Sequence, residues 1–217
     1  MKPITAQASE SAGPGVLVTG VEHWTAKTTS DGDIRLFLWE KYVGSPAGKP
    51  AVLFVHGSSM ASQPTFDLTV PGHPDSSVMD WFARRGFVCW CVDLEGYGRS
   101  AKSRDIFCDI ANGAEDLAAA TDYIARTRGV RAFMAYGISS GALRAALFAQ
   151  RHPERHFILH GDEAQLKVLL AAAPNAAPRT EIRHTEKFIT MDAKPSQMLR
   201  QGKNTSMWNA IESVKNN

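Results

Sequence analysis

In FMAYGISSGALRAALFAQ, residues 133–150, a short apolar run passes through Gly137-Ile138-Ser139-Ser140-Gly141 into an alanine- and leucine-rich helical pattern. A strand that turns sharply into a helix sends the chain back along the face of its sheet. This one junction therefore asks for βα units and crossover connections. The turn is crowded, and glycines two before and two after Ser139 remove the side chains that would collide in it. Such a turn lifts the central serine above the carboxyl edge of the sheet, where parallel α/β sheets bind their ligands.

The chain on either side supplies the units. VLVTGVEHW and IRLFLWEKY are expected strands around a turn at Ser30-Asp31-Gly32-Asp33, forming an antiparallel edge. AVLFVHG is a continuous apolar run, as for a strand buried on both faces. The loop from Ser58 to Asp75 is long enough to suspect function, and its Pro and Gly content is taken to exclude a regular element. SSVMDWFARRGF reads as a helix capped by Asp75 or Ser76, with Val78, Trp81 and Phe82 on one stripe. VCWCVDL is the next strand and EGYGRS a glycine turn. ANGAEDLAAATDYIARTRG is a helix with Leu117, Thr121 and Ile124 at helical spacing, stopped by Gly129. RAFMAY is a strand, and GALRAALFAQRH a helix that ends before Pro153. The alternation predicts a mostly parallel α/β sheet with helices on both faces. The 217 residues are read as one domain, 1–217, with 1–15 a flexible tail.

A net charge of +2 without clustered Lys or Arg gives no electrostatic footprint for nucleic acid. No apolar run approaches the roughly 20 residues of a membrane span, and the N-terminus lacks a secretory core. Cys89 and Cys91 point to the same face of a strand and read as buried thiols rather than a metal pair, since no second ligand cluster accompanies them. The odd cysteine count favours a reducing, cytoplasmic compartment. His152, His156 and His160 lie close in sequence without a ligand motif, and His23 and His73 have no supporting context. The reading calls for no metal and no cofactor.

A serine hydroxyl is a weak nucleophile and needs a base and oxyanion donors. The centre of the pentapeptide selects Ser139, and Ser140 would offer its backbone N–H. AVLFVHGSS ends a strand in His56-Gly57, and the N–H of Ser58 is the candidate second donor, with Gly57 beside it. His56 is read as supporting the loop, not as the base. SDGDIRLFLWEK, VLFVHGSS, DLEGYGRS and GISSGA, in that order, resemble the α/β-hydrolase family over roughly Val16 to Arg155. The resemblance implies a serine mechanism of ester hydrolysis or acyl transfer, with Ser139 as nucleophile and Ser58 and Ser140 as oxyanion donors. Serine at that position speaks against the dehalogenase- and epoxide-hydrolase-like branches.

The C-terminal third departs from the family's pattern. No cap is present, and one strand is missing between RHPER and HFILHGDE. In the family's G-x-x-D register Gly161 leads to Ala164, with Asp162 and Glu163 one or two residues early. With FILHGDE in the sixth-strand place, where some members carry the acid, the resemblance implies Asp162 as the acid and Glu163 as the alternative. The base is assigned to His184, the one histidine after Asp162; in another register Lys187 falls there, unusable as an ordinary base. RTEIRHTEKFITMD is read as the last strand and its loop, and Met207, Ile211 and Val214 fall at helical spacing in a terminal helix. The expected substrate is a small ester, thioester, lactone or amide. Met60, Phe66 and Leu68 either line an acyl pocket or form the core of their loop. The alternative is a catalytically impaired domain of the same fold that binds a ligand or a protein, and an incomplete sheet of this kind would form a homodimer.

Overall fold

In the computed structural model, β1 (Val18–Thr29) and β2 (Gly32–Val43) make a long antiparallel hairpin, closing at the Thr29–Gly32 pair. Gly32 has φ +106°, a turn geometry that a side chain would strain. The structure describes residues 16–73, 76–104, 108–130, 133–152, 157–172, 174–175, 177–187, 202–206 and 209. The expected N-terminal tail lies outside them, as do Met207, Ile211 and Val214. The described residues group into two compact units, one reaching Phe148 and one starting at Ala149.

The first unit is built on a five-stranded sheet of order β1-β2-β4-β3-β5. Its other strands are β3 (Ala51–Val55), β4 (Val88–Asp93) and β5 (Phe133–Gly137). β2 runs antiparallel to β4, and β3 pairs in parallel with both β4 and β5. Every residue of β3 and β4 is buried, as their unbroken apolar runs require. Adjacent residues of β4 show what covers each face. The Cys89 thiol donates to the Met79 carbonyl on α2 (Val78–Ala83), while Trp90 packs edge-on against Tyr123 on α3 (Ile110–Arg128). Leu117, Thr121 and Ile124 of α3 are buried as expected, and Gly129 ends the helix at φ +65°. All three cysteines are free and buried.

Two local expectations are corrected. The loop after β3 contains a regular element, the short helix α1 (Ser62–Phe66). Pro64 sits in its first turn, where a backbone N–H would have no helical partner, so the proline costs no hydrogen bond. α1 is anchored by the Asp93 carboxylate, which accepts from the backbone N–H and hydroxyl of Ser62 at 2.8 and 2.6 Å. Phe66 is loop core, packed on Phe54 and Tyr136, whereas Met60 and Leu68 stay about half exposed. The second correction concerns α2. Ser77 caps it, accepting from the Asp80 N–H, while the Ser76 hydroxyl bonds the His73 carbonyl instead. Its buried side is Met79, Phe82 and Ala83, with Val78 turned outward.

Buried charge ties the hairpin to the rest of this unit. The Lys27 ammonium pairs with Glu95 at 3.1 Å and Asp116 at 2.7 Å. Glu95, two residues beyond β4, also takes a two-pronged hydrogen bond from Arg104 at 2.8 and 2.7 Å. Further along the sheet, Glu40 is held by Arg128 and by His23, whose other ring nitrogen meets the Tyr123 hydroxyl. His23, without a role in the sequence reading, is thus part of the packing between the hairpin and α3.

In the second unit, β6 (Phe157–Gly161) and β7 (Thr180–His184) pair in parallel, with Gly161 opposite His184. They are joined through α5 (Glu163–Ala171), and a 3-10 turn at Ala177–Arg179 leads into β7. Asp162 is the N-cap of α5, accepting from the Gln165 N–H at 2.8 Å.

The pairing at Glu95 yields an acid-stability prediction. Arg104 first, then Lys27 and Asn112, hold its carboxyl at about 2 against an ordinary 4.5. As pH falls below 4.5 the unfolded chain takes up the proton first, so this contribution is complete above that value and fades toward about 2. Glu95→Gln should lower stability at neutral pH by about 2 kcal/mol and flatten the acid limb, as read from urea midpoints across the acid range.

Candidate active site

The site is assembled where β3 and β5 end side by side. Ile138 N–H donates to the Val55 carbonyl at 3.2 Å, continuing the β3–β5 pairing into the turn. The chain then reverses into α4 (Ser140–Arg151). At the reversal Ser139 adopts φ +53°, one of two non-glycine residues with positive φ among the described residues. That left-handed conformation costs a residue with a Cβ about 1–2 kcal/mol. The flanking glycines have direct steric causes. A Cβ on Gly137 would fall 2.6 Å from the Gly141 carbonyl oxygen, and one on Gly141 would fall 2.3 Å from that of Val55. α4 can start this close to the end of β3 only with glycine there.

Gly57 closes the other side. A Cβ added to it would lie 3.0 Å from the Ser139 Cβ and 3.4 Å from its Oγ, so bare backbone abuts the Ser139 side chain. The Ser58 and Ser140 hydroxyls are hydrogen-bonded at 2.6 Å. Gly57, Ser58, Ser139 and Ser140 are therefore brought together, in the first unit.

His56 is buried, and its protonation pattern follows from its partners. The Leu94 N–H donates to Nε2 at 3.1 Å, so the ring proton sits on Nδ1 and donates to the Gly57 carbonyl at 2.6 Å. Burial pushes its pKa below the ordinary 6.5, which keeps the ring neutral. Both nitrogens are committed, which agrees with its reading as a support and not a base. The Gly57–Ser58 peptide is trans, so fixing its carbonyl on the ring turns the Ser58 N–H to the opposite side.

Other supports were not singled out from the sequence. The buried Arg144 of α4 donates to the carbonyls of His56 (3.3 Å) and Cys108 (2.5 Å). Gly113 leaves room for its side chain, since a Cβ there would lie 2.5 Å from Arg144 Cδ. Tyr97 donates its phenol O–H to the Ser58 carbonyl at 2.8 Å and sets its ring edge-on to His56. The signal for Tyr97 was its place inside a Gly-x-Gly turn. There Gly98 is obligatory, because a Cβ would lie 2.0 Å from the Asp93 carboxylate.

Asp162 and His184 come together in the second unit. The Glu163 N–H donates to His184 Nδ1 at 3.1 Å, while the Asp162 carboxylate caps α5. Both residues line one open pocket with Glu163, Ala164 and Lys167. Lys167 is paired with Glu163 at 2.6 Å, and the Lys187 backbone pairs with that of Thr205 in an isolated β-bridge. Among the described residues no group of His, Cys, Asp and Glu has metal-binding geometry.

The strand order and the glycine-bounded turn define an α/β-hydrolase fold. Two solved structures share it along nearly their whole length. A CIB-like hydrolase from Thermoplasma acidophilum has TM-score 0.52 and 15% identity, covering 93% of this chain and 100% of that one. A cold-adapted esterase from an Arctic intertidal metagenomic library has TM-score 0.54 and 14% identity, covering 95% and 98%. The family model for serine aminopeptidase, S33, matches residues 47–205, and the chain belongs to that family of hydrolases. Curated relatives bring a different name. A phosphate acyltransferase of Phenylobacterium zucineum is 48% identical over 71 residues, 33% of this chain and 20% of that protein. One of Cereibacter sphaeroides is 40% identical over 105 residues, 48% of this chain and 26% of that protein. The chain thus spans about a fifth to a quarter of the length of the curated relatives it matches.

Two measurements check this geometry. Ser139→Gly should be more stable than Ser139→Ala by about 1 kcal/mol in urea unfolding, because only glycine relieves the left-handed backbone. Neutral His56 contributes stability in full above pH 6.5, and the contribution is lost as pH falls toward its depressed folded value. His56→Asn should therefore flatten the slope of unfolding free energy below pH 6.5.

Proposed function

We propose that Ser139 is the nucleophile of a serine hydrolase acting on a small carboxylic ester, thioester, lactone or amide through an acyl-enzyme. The observation that carries this reading is the left-handed backbone of Ser139 at the end of β5, with Gly57 backbone against its side chain. Strain at an exposed serine, over-determined by glycines on three sides, is hard to explain as packing alone. The backbone N–H groups of Ser58 and Ser140 are the oxyanion donors, next to the positive end of α4. His184 is the base and Asp162 the acid, following the family's chain order of serine, acid, histidine. In that role His184 must exchange its bond from the Glu163 N–H for one in which Nδ1–H donates to a carboxylate. The free, buried cysteines support a reducing compartment. Among the described residues no helix is long and apolar enough to cross a membrane.

A fluorophosphonate probe on the full chain at neutral pH tests the reading. Wild type should label at one site. Ser139→Ala should abolish labelling and lower turnover of a p-nitrophenyl ester at least about a thousandfold. No labelling of folded protein sinks the hydrolase and leaves a binding domain of this fold. Labelling that survives His184→Ala removes that residue as base and keeps Ser139.

The identity to phosphate acyltransferases supports a second reading, acyl transfer to phosphate. It predicts acyl phosphate from an acyl donor and inorganic phosphate, formed equally well by Ser139→Ala.

A further inference from the structure

We infer that Tyr97 is a positioning residue: its phenol O–H clamps the Gly57–Ser58 turn so that the Ser58 N–H faces the space beside Ser139. The inference rests on the serine-hydrolase reading. The turn after β3 is gripped at successive points. The Gly57 carbonyl is taken by His56 Nδ1–H, the Ser58 carbonyl by the Tyr97 hydroxyl, and the Ser58 hydroxyl by that of Ser140. Fixing the carbonyls on both sides of Ser58 leaves its two peptide planes little freedom, and a peptide flip would turn the N–H away. Ser58, Ser59 and Met60 are exposed, so packing does little to hold the second plane in place of Tyr97.

Tyr97 suits the task because its own backbone is rigid. Its N–H donates to the Leu94 carbonyl at 2.9 Å, and its carbonyl accepts from Ser100 at 3.1 Å. Asp93 takes the Arg99 N–H at 2.9 Å, and Glu95 is pinned by Lys27 and Arg104. The same turn presents the Leu94 N–H to His56 Nε2, so one rigid segment after β4 sets both the histidine and the tyrosine. The ring of Tyr97 lies edge-on to that of His56, 4.8 Å centroid to centroid, which sets the two grips against each other.

The test is Tyr97→Phe, which deletes one oxygen and keeps the ring on His56. Amide hydrogen exchange of the full chain should quicken in the segment around Ser58, with the sheet amides unchanged. Fluorophosphonate labelling should slow about fivefold, and turnover of a p-nitrophenyl ester should fall in kcat with KM unchanged, the scale of one hydrogen bond. Unchanged exchange around Ser58 overturns the inference, as does quickened exchange with the labelling rate intact. If wild type does not label while Tyr97→Phe still loosens the segment, the clamp stands and the hydrolase reading falls. If Tyr97→Phe loses fold, Ser140→Ala, which cuts the Ser58 hydroxyl grip and spares the phenol, must leave exchange slower than in a Tyr97→Phe, Ser140→Ala double variant under stabilising salt. Equal rates overturn the inference.

Discussion

The site depends on one buried imidazole. His56 has no aqueous exposure to supply a proton or take one, and it lies between a donor it must accept from and a carbonyl it must donate to. Only the Nδ1–H tautomer satisfies both, so the fold chooses the tautomer and the tautomer chooses the orientation of the next peptide. β3 and β4 are parallel neighbours, so their carboxyl ends emerge side by side. One ring can therefore reach from the end of one strand to the first turn after the other. An apolar residue at position 56 would leave the Leu94 N–H buried without a partner.

Charge buried below that turn serves the same end. Glu95, Asp116, Lys27 and Arg104 form an ion network whose desolvation offsets much of its attraction, so it is a poor source of net stability. What it supplies is geometry. Each carboxylate oxygen of Glu95 is fixed, and so is the segment carrying Tyr97. Asp93 does the same on the other side, joining α1, β4 and the glycine turn through its two oxygens. This explains why the turn tolerates Gly96 and Gly98 at positive φ without being left loose.

Legibility from sequence followed locality. The five strands of the first unit, α3 with its Gly129 cap, and the turn at Ser139 were readable because each signal lies within a short window. α1 is hidden by the Pro and Gly content of its loop, although Pro64, placed in the first turn, is harmless there. The α2 stripe was misassigned because Val78 and Met79 are both apolar, and only the packed sheet decides which is inside. Tyr97, Arg144 and His23 act through partners far away in sequence, and no window shows such a pairing. The motif marks His56 as a support, but the tautomer that explains how it supports depends on the Leu94 N–H.

In the proposed serine hydrolase, each histidine would have to surrender something different to act as the base. His56 would break two hydrogen bonds and gain a charge while buried, in a site that already lowers its pKa. His23 is held at both nitrogens, one by the Glu40 carboxylate. His184 is exposed, and its ring accepts a hydrogen bond at Nδ1 from the Glu163 N–H. Moving its proton from Nε2 to Nδ1 costs that hydrogen bond, about 1 kcal/mol, and water can take over the freed N–H. Neutral imidazole then presents an open Nε2 lone pair, which is what proton transfer from a serine hydroxyl requires. Of these three rings, His184 gives up least to become a base.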